Sequence, residues 1–299
     1  MLDVSIIIVN YKTVSLIINT VKSIKIHTNN IKYEIIIVDN NSQDDVEKIL
    51  YNEFGGEIVC VLLNENIGFG CANNEGIKIA RGRNTLFLNP DTLLLNNAIK
   101  ILSDYLDGNE SVGACGGNLY DEQMKPAHSY DIKFPSITHE LRLYKLLYWK
   151  NWQFNSTKDT IEVAYITGAD LMVKKSVLNR VGLFSDRFFM YYEDSELCFR
   201  IHKGGYKIIS VPFAKIQHLE GKSFYSKLDL NRIIYIVNGR KIFYSLHYSA
   251  QYMRIVDFVY VCMLYLKISV FYITNKDKYK FWSTVKKYEK TDNSIYYKM

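Results

Sequence analysis

Two runs rich in β-branched residues, 4–9 (VSIIIV) and 33–38 (YEIIIV), leave this chain few folds to choose from. An apolar run of strand length has no polar face to offer water, so it must be covered on both sides, as the strands of a parallel sheet are. A helical pattern follows each run. Thr13 stands where an N-cap would open a helix to about His27, with Leu16, Ile17, Val21 and Ile24 on one face. The second run ends in Asp39-Asn40-Asn41-Ser42 and leads into an acid-started helix over about 44–51. Further strands are predicted at 58–63, 85–88, 112–115, 163–167 and 171–173, with a helix that runs to about Ala80 and others at about 96–106 and 175–181. Strands alternating with helices of this length predict an α/β chain with a doubly wound sheet.

A chain of 299 residues, 48% hydrophobic and 23% charged, suffices for one large core and an appendage. Its five cysteines are odd in number and show no CxxC spacing, which argues against a disulfide framework or a zinc site and for a reducing cytosol. The start MLDVSIIIV has an acid at position 3 and no basic stretch, so it is expected to be a first strand and not a signal peptide. The net charge of +6 is uneven: from Leu230 onward there are twelve Lys/Arg against four Asp/Glu. No zinc, RNP or helix-turn-helix pattern accompanies that basic tail, so nucleic acid is not expected and anionic lipid is.

Chemistry concentrates where strands end. In TLFLNPDT, Pro90 stops the strand and fixes the direction of Asn89 and Asp91. A carboxylate just past a buried strand suits Mg²⁺ or Mn²⁺ carrying a diphosphate, although Asn-Pro-Asp also makes ordinary turns. The stretch NENIGFGCANNEG, residues 64–76, opens a helix with glycines that allow close backbone approach to an anion. Its spacing is that of neither a dinucleotide fingerprint nor a P-loop. In FFMYYEDSELCFR, Glu193, Asp194 and Glu196 start a helix behind an aromatic run. They complement the helix dipole, or one of them is a base kept dry by aromatics. His218 is equally open between a satisfied polar residue and a ligand. Residues 118–159, with Trp149 and Trp152, are irregular and aromatic, fitting a substrate wall or a surface loop.

Taken in order, VSIIIVNYK, IIIVDNNS, NENIGFGCANNEGI, LFLNPDT, TGADLMVKKSV, FFMYYEDSELCFR and QHLEGKS resemble the family 2 inverting glycosyltransferases, within them the bacterial rhamnosyltransferase-like members. The resemblance covers about 4–223 and implies a GT-A fold, a Rossmann-like, doubly wound mixed sheet. It implies that Asp39 accepts from N3–H of a pyrimidine base, with Val9, Asn10 and Tyr11 walling that base. Asn66, Gly68 and Asn73 fall in the donor-binding loop. Asn89, Pro90 and Asp91 stand where relatives carry Asp-x-Asp, with Asn in place of the first acid, so Asp91 is the expected metal ligand, assisted by His218. Asp194 matches the catalytic base, and Gly168, Ala169, Asp170 and Glu193 the acceptor side, although Asp170 stands where many relatives carry a small or apolar residue.

The implied reaction is a single inverting displacement from a nucleotide-sugar donor, best matched by dTDP-L-rhamnose, with a UDP-hexose as the alternative. The implied acceptor is a glycan or a polyprenyl-diphosphate-linked glycan of the bacterial cell surface. A catalytically silent module is disfavoured because base, metal and nucleotide positions are all present. A nucleotidyltransferase would want a basic, glycine-rich loop where NYKTVS stands. The expected domains are 1–228, with an acceptor-side insert at 118–162, and a helical extension over 229–299. Residues 255–273 are apolar but interrupted by Asp257 and Lys267, which favours a helix lying on the inner face of the membrane over one spanning it. Packing on the enzyme, or on a second subunit as a homodimer, is the alternative use of the tail.

Overall fold

The computed structural model describes residues 2–141, 158–219 and 230–289. Among them the chain divides into two compact units, one of 2–134, 158–189 and 193–219, the other of 135–141, 190–192 and 230–289. Trp149, Trp152 and the Glu220–Ser223 end of the QHLEGKS motif lie outside the described residues.

In the first unit the elements are β1 (Leu2–Asn10), α1 (Val14–His27), β2 (Tyr33–Asp39), α2 (Val46–Phe54), β3 (Ile58–Leu62), α3 (Phe69–Ile79), β4 (Gly82–Leu88) and β5 (Thr92–Leu94). They continue with α4 (Ala98–Asp107), β6 (Val112–Tyr120) and β7 (Tyr130–Asp131). After α5 (Ile137–Glu140), which belongs to the second unit, come β8 (Ile161–Glu162), β9 (Tyr165–Ile166), β10 (Asp170–Lys174), α6 (Lys175–Val181), α7 (Glu193–Lys203) and β11 (Lys207–His218). The main sheet runs β3-β2-β1-β4-β10-β6-β11-β5, with β8 also on β11, while β7 and β9 pair apart. Strands β3, β2, β1 and β4 are mutually parallel, as are β6 and β11, but β10 lies antiparallel between β4 and β6. The sheet is therefore mixed.

The period of two along β1 builds three layers. Ile6 and Ile8 pack with Ile17, Val21 and Ile24 of α1, Leu50 of α2 and Leu102 of α4. Ile7 and Val9 face the other way, toward Ala72 and Ile77 of α3 and Leu197 and Ile201 of α7. Ile6, Ile7 and Ile8 are all 0% exposed. Burying each such side chain stabilises the fold by about 1.5–3 kcal/mol, which is why the run cannot slip by one residue. Helices cover both faces, and polar side chains inside the strands, such as Ser5 and Thr85, are buried.

The second unit holds α5 and three helices, α8 (Leu230–His247), α9 (Ala250–Thr274) and α10 (Lys276–Glu289). Ile233 and Val237 of α8, Leu264 of α9 and Val285 of α10 form its small core. Arg240, 2% exposed, ties the three together by donating to Asp257 (2.9 Å) and Glu289 (2.6 Å) and lying over the Tyr260 ring at 4.0 Å.

Candidate active site

Strands β1 and β2 end side by side, with Asn10 registered against Asp39. Buried polar side chains need partners, and here they find each other. Asn10 Nδ2 donates to Asp39 Oδ1 (2.7 Å) and Ser42 Oγ (3.0 Å), while Ser42 donates to Asp39 through its hydroxyl (2.5 Å) and its backbone N–H (3.2 Å). Asn10 Oδ1 accepts from the backbone N–H and hydroxyl of Thr13, both at 3.0 Å. Thr13, expected as an N-cap, makes no side-chain cap bond to α1. Asn10 is 0% exposed, so its polar atoms hold Asp39 in place, while Tyr11 next to it is 45% exposed. Lys12, Asn41 and Gln43 have φ of 60°, 59° and 64°, left-handed values that fold these two loops tightly.

Asn40 is a hub that sequence reasoning missed. Its Nδ2 donates to Asn66 Oδ1 (2.8 Å) and Gly68 O (3.3 Å), and its Oδ1 accepts from Ile67 N–H (2.9 Å). The doubled Asn of DNN was its signal, because one Asn closing on a distant loop needs both ends of its amide. Gly68 opens α3 at φ 86°, where a Cβ would come within 2.4 Å of the Phe189 carbonyl oxygen, so only glycine fits. No side chain caps α3 and no acid stands in its first turn, while the Phe69 N–H at its start donates to Phe189 O (2.9 Å). Asn73, 1% exposed, donates to Phe69 O (3.0 Å) while its Oδ1 is buried without a hydrogen-bond partner.

Beyond β4 the Asn-Pro-Asp turn is pinned from α1, where the Thr20 hydroxyl lies 2.7 Å from Pro90 O and 2.8 Å from Thr92 O. Asp91 is 2% exposed, with Oδ1 at 3.3 Å from His218 Nε2. Asn89 Nδ2 reaches the same nitrogen at 3.3 Å. That nitrogen has a single lone pair, so it accepts from the Asn89 amide or, with that amide turned away, could bind a divalent ion beside Asp91. Among the described residues no three His, Cys, Asp or Glu gather as a metal site. A carboxylate with one imidazole still suits a divalent ion that arrives with a diphosphate, since Mg²⁺ and Mn²⁺ take much of their coordination from phosphate and water.

The acids of α7 divide by partner. Glu196 forms a two-pronged pair with Arg200 (2.8 Å to each oxygen), and Arg200 also donates to Val181 O and Leu183 O, so Glu196 is structural. Half-buried Asp194 accepts from Gly168 N–H on Oδ2 (2.8 Å) and from Ser195 N–H on Oδ1 (2.6 Å). Desolvation raises its pKa despite these bonds and the nearby His128 charge, another neighbour that sequence reasoning missed. Glu193, 5% exposed, is pushed up to about 8 by burial and by Asp194. Of two adjacent carboxyls in a dry place, one keeps its proton and the other ionises. Asp170, 0% exposed, accepts from Gly117 N–H (2.6 Å) and is pushed up to about 7 by burial, so it is an inward-facing acid of the sheet.

Backbone contacts bring these pieces to one edge of the first unit. Asn89 N–H donates to Ala169 O (3.0 Å), placing the Asn-Pro-Asp turn beside Gly168 and through it Asp194. At the start of α3, a Cβ on Gly70 would stand 3.4 Å from Glu193 Cβ. Polar side chains gathered at the carboxyl ends of β1, β2 and β4, beside an acid-started helix, fit a glycosyltransferase with the GT-A fold. The profile of Glycosyl transferase family 2 matches residues 5–182, and the chain belongs to that family.

Among its relatives, Rhamnosyltransferase WbbL of Escherichia coli K12 is 27% identical over 216 residues, covering 65% of this chain and 77% of WbbL. The dTDP-rhamnosyl transferase RfbF of Shigella flexneri is 25% identical over 193 residues, 62% of this chain and 60% of RfbF. The crystal structure of GalNAc-T7 with UDP, GalNAc and Mn²⁺ superposes with a TM-score of 0.60 at 17% identity, covering 82% of this chain and 48% of that one. It shares the fold. The chain is thus a rhamnosyltransferase-like family 2 glycosyltransferase.

Proposed function

We propose that the chain transfers L-rhamnose, with inversion, from dTDP-L-rhamnose to a hydroxyl of a glycan or polyprenyl-diphosphate-linked glycan in bacterial surface-polysaccharide synthesis. One observation carries this reading: Asp194, half-buried, has both carboxylate oxygens held by main-chain N–H groups beside the turn that bears Asp91. Asp39 accepts from N3–H of the thymine ring, and the start of α3 receives the diphosphate. Asp194 takes the proton of the acceptor hydroxyl as that oxygen attacks the anomeric carbon from the face opposite the nucleotide. Glu193, protonated near neutral pH, leaves the negative charge of the pair to Asp194. Asp91 and His218 would hold Mg²⁺ or Mn²⁺, which when bound offsets charge on the departing diphosphate. Gly168 and Ala169 line the acceptor side through their backbone.

The dTDP-L-rhamnose donor is favoured by the names of the two rhamnosyl-transferring relatives, a likeness of sequence that a measurement must test. The test is a panel of dTDP- and UDP-sugars, scored by thermal stabilisation and slow hydrolysis with Mn²⁺, Mg²⁺ or excess chelator. The largest responses should come with dTDP-L-rhamnose and a divalent ion. A UDP-sugar that outranks it would replace the donor; no response to any nucleotide sugar would remove the enzyme reading.

The second unit is proposed to lie on the anionic inner face of the cell membrane. α9 is 25 residues long and contains an 18-residue stretch with a mean hydropathy of 1.7, enough by length and composition to cross a bilayer. Its interrupting charges are turned inward, Asp257 to Arg240 (2.9 Å) and Lys267 over the Trp282 ring (4.1 Å). Ile255, Phe258, Leu266, Val270 and Ile273 remain exposed on its outer side. Spanning would drag α10 along, because the Tyr272 ring meets Tyr279 edge to face and Lys286 lies over the Tyr265 ring. Each lysine of α10 taken to mid-bilayer costs about 2.5–3.5 kcal/mol, so a surface-lying α9 is favoured.

A further inference from the structure

Two asparagine amides between the end of β2 and the start of α3 orient one another. Asn40, 3% exposed, follows Asp39 directly, and its backbone N–H donates to Asn10 O (2.9 Å). Two backbone groups fix its side chain, whose Oδ1 accepts from Ile67 N–H (2.9 Å) while Nδ2 donates to Gly68 O (3.3 Å). The reverse orientation would set donor against donor at Ile67 and acceptor against acceptor at Gly68. Asn40 Nδ2 also donates to Asn66 Oδ1 (2.8 Å), and the same oxygen accepts from Gly68 N–H (3.1 Å). Both lone pairs of the Asn66 oxygen are thereby taken.

The consequence falls on the other half of the Asn66 amide. Asn66 is half-buried, and its Nδ2 donates to none of the described residues. Turning that amide over would press its NH₂ against the Asn40 NH₂ and the Gly68 N–H, three donors with no acceptor among them, so the NH₂ stays on the side away from both. Asn66 stands just ahead of Gly68, which opens α3. An NH₂ held there is a hydrogen-bond donor suited to an anion. We propose that Asn40 is a positioning residue for the donor substrate: by fixing the Asn66 amide it presents the Asn66 NH₂ to the diphosphate, and so ties the diphosphate contact to the strand end that carries Asp39. This rests on Asp39 and the start of α3 holding the nucleotide sugar. Every residue involved belongs to the first unit.

Binding of dTDP and of thymidine to full-length variants tests the role, at fixed Mn²⁺ and about pH 8, where introduced carboxyls ionise; UDP and uridine serve if a UDP-sugar outranks the thymidine donor. Asn66→Asp still accepts from Asn40 and from Gly68 N–H, so the loop should hold, but a charged oxygen replaces the NH₂. A hydrogen bond to a charged group carries about a ten- to hundred-fold factor, so dTDP affinity should fall at least about ten-fold with thymidine affinity within about two-fold. Asn40→Asp keeps the Ile67 bond but cannot donate, so the Asn66 NH₂ turns inward to it and the same split should appear. Asn40→Ala, which buries no charge, should show the split at about three-fold or more. In an Asn66→Ala background, which has no NH₂ to present, Asn40→Asp should cost less than about three-fold further. Parental dTDP affinity in Asn66→Asp or Asn40→Ala, equal loss of dTDP and thymidine, or an undiminished Asn40→Asp effect in the Asn66→Ala background would each overturn the positioning role alone. A parent that binds neither dTDP nor UDP would overturn the nucleotide-sugar reading and this role with it.

Discussion

Asp194→Asn keeps the shape of the side chain and removes its capacity to take a proton. Two main-chain donors converge on this carboxylate, Gly168 N–H at 2.8 Å and Ser195 N–H at 2.6 Å. An amide can accept from one of them, and its NH₂ then faces the other, which costs about 1–3 kcal/mol for the unmade bond. Opposing this, the carboxylate carries a desolvation penalty, seen in its raised pKa, that the neutral amide lacks. The two effects have opposite sign, so the folded state should change by no more than about 2 kcal/mol. The chemical step has no such compensation. Loss of a general base costs about 10²- to 10⁴-fold, or ~3–5 kcal/mol of barrier. Glu193→Gln is the internal control: Glu193 already holds a proton near neutral pH, so a neutral amide of the same size should slow turnover by less than about ten-fold. Initial rates of nucleotide-sugar hydrolysis, with donor titration by thermal shift, measure both variants. The assignment is falsified if Asp194→Asn turns over like the parent, or if donor affinity falls as far as turnover.

The buried acids also set how stability varies with pH. Glu193 is raised from an ordinary 4.5 to about 8 and Asp170 from 3.8 to about 7, so the folded protein holds protons that the unfolded chain releases. Their contribution is complete below about pH 4 and is lost as pH rises toward about 8; Tm should therefore fall across that window, and Glu193→Gln should flatten its upper part. A Tm that rises over the same range would contradict the burial of both groups. Asp91→Ala should remove the Mn²⁺-dependent part of the nucleotide-sugar thermal shift while leaving the ligand-free Tm within a few degrees, and turnover that persists in excess chelator would argue against a metal at Asp91. Phe258 and Ile273 are 70% and 85% exposed on α9, so Phe258→Glu with Ile273→Glu should abolish flotation with anionic liposomes at low salt. Unchanged flotation would exclude that face, and a parent dimer that the double substitution dissociates would assign it to a second copy of the chain.

Much of the first unit was legible because its information is local. β-branched runs make β1 and β2, period and length make the helices between strands, and residues 175–181 form the helix their pattern predicts. The strand expected at 112–115 runs on to Tyr120, because Gly116 and Gly117 lie inside the sheet, where pairing with β11 outweighs their weak strand preference. The antiparallel insertion of β10 between β4 and β6 could not be read, since nothing in DLMVK distinguishes one strand direction from the other. Nor could the left-handed backbone of Tyr191 and Tyr192, since aromatic residues ordinarily avoid such φ values.

At the site, sequence by itself determined which groups are present: Asp39, Asp91, Glu193, Asp194 and His218, in that order along the chain. Only the tertiary structure decided what each group does with its lone pairs and protons. It assigned Glu196 to Arg200, Asn10 to Asp39, and the two oxygens of Asp194 to main-chain donors. The physical reason is range. Helix and strand preferences arise between near neighbours, whereas the bonds that set the chemistry join residues 29 apart for Asn10 and Asp39, 26 for Gly168 and Asp194, and 129 for Asn89 and His218. Those partners meet only after the sheet has formed, and burial among them is what moves the acids' protons.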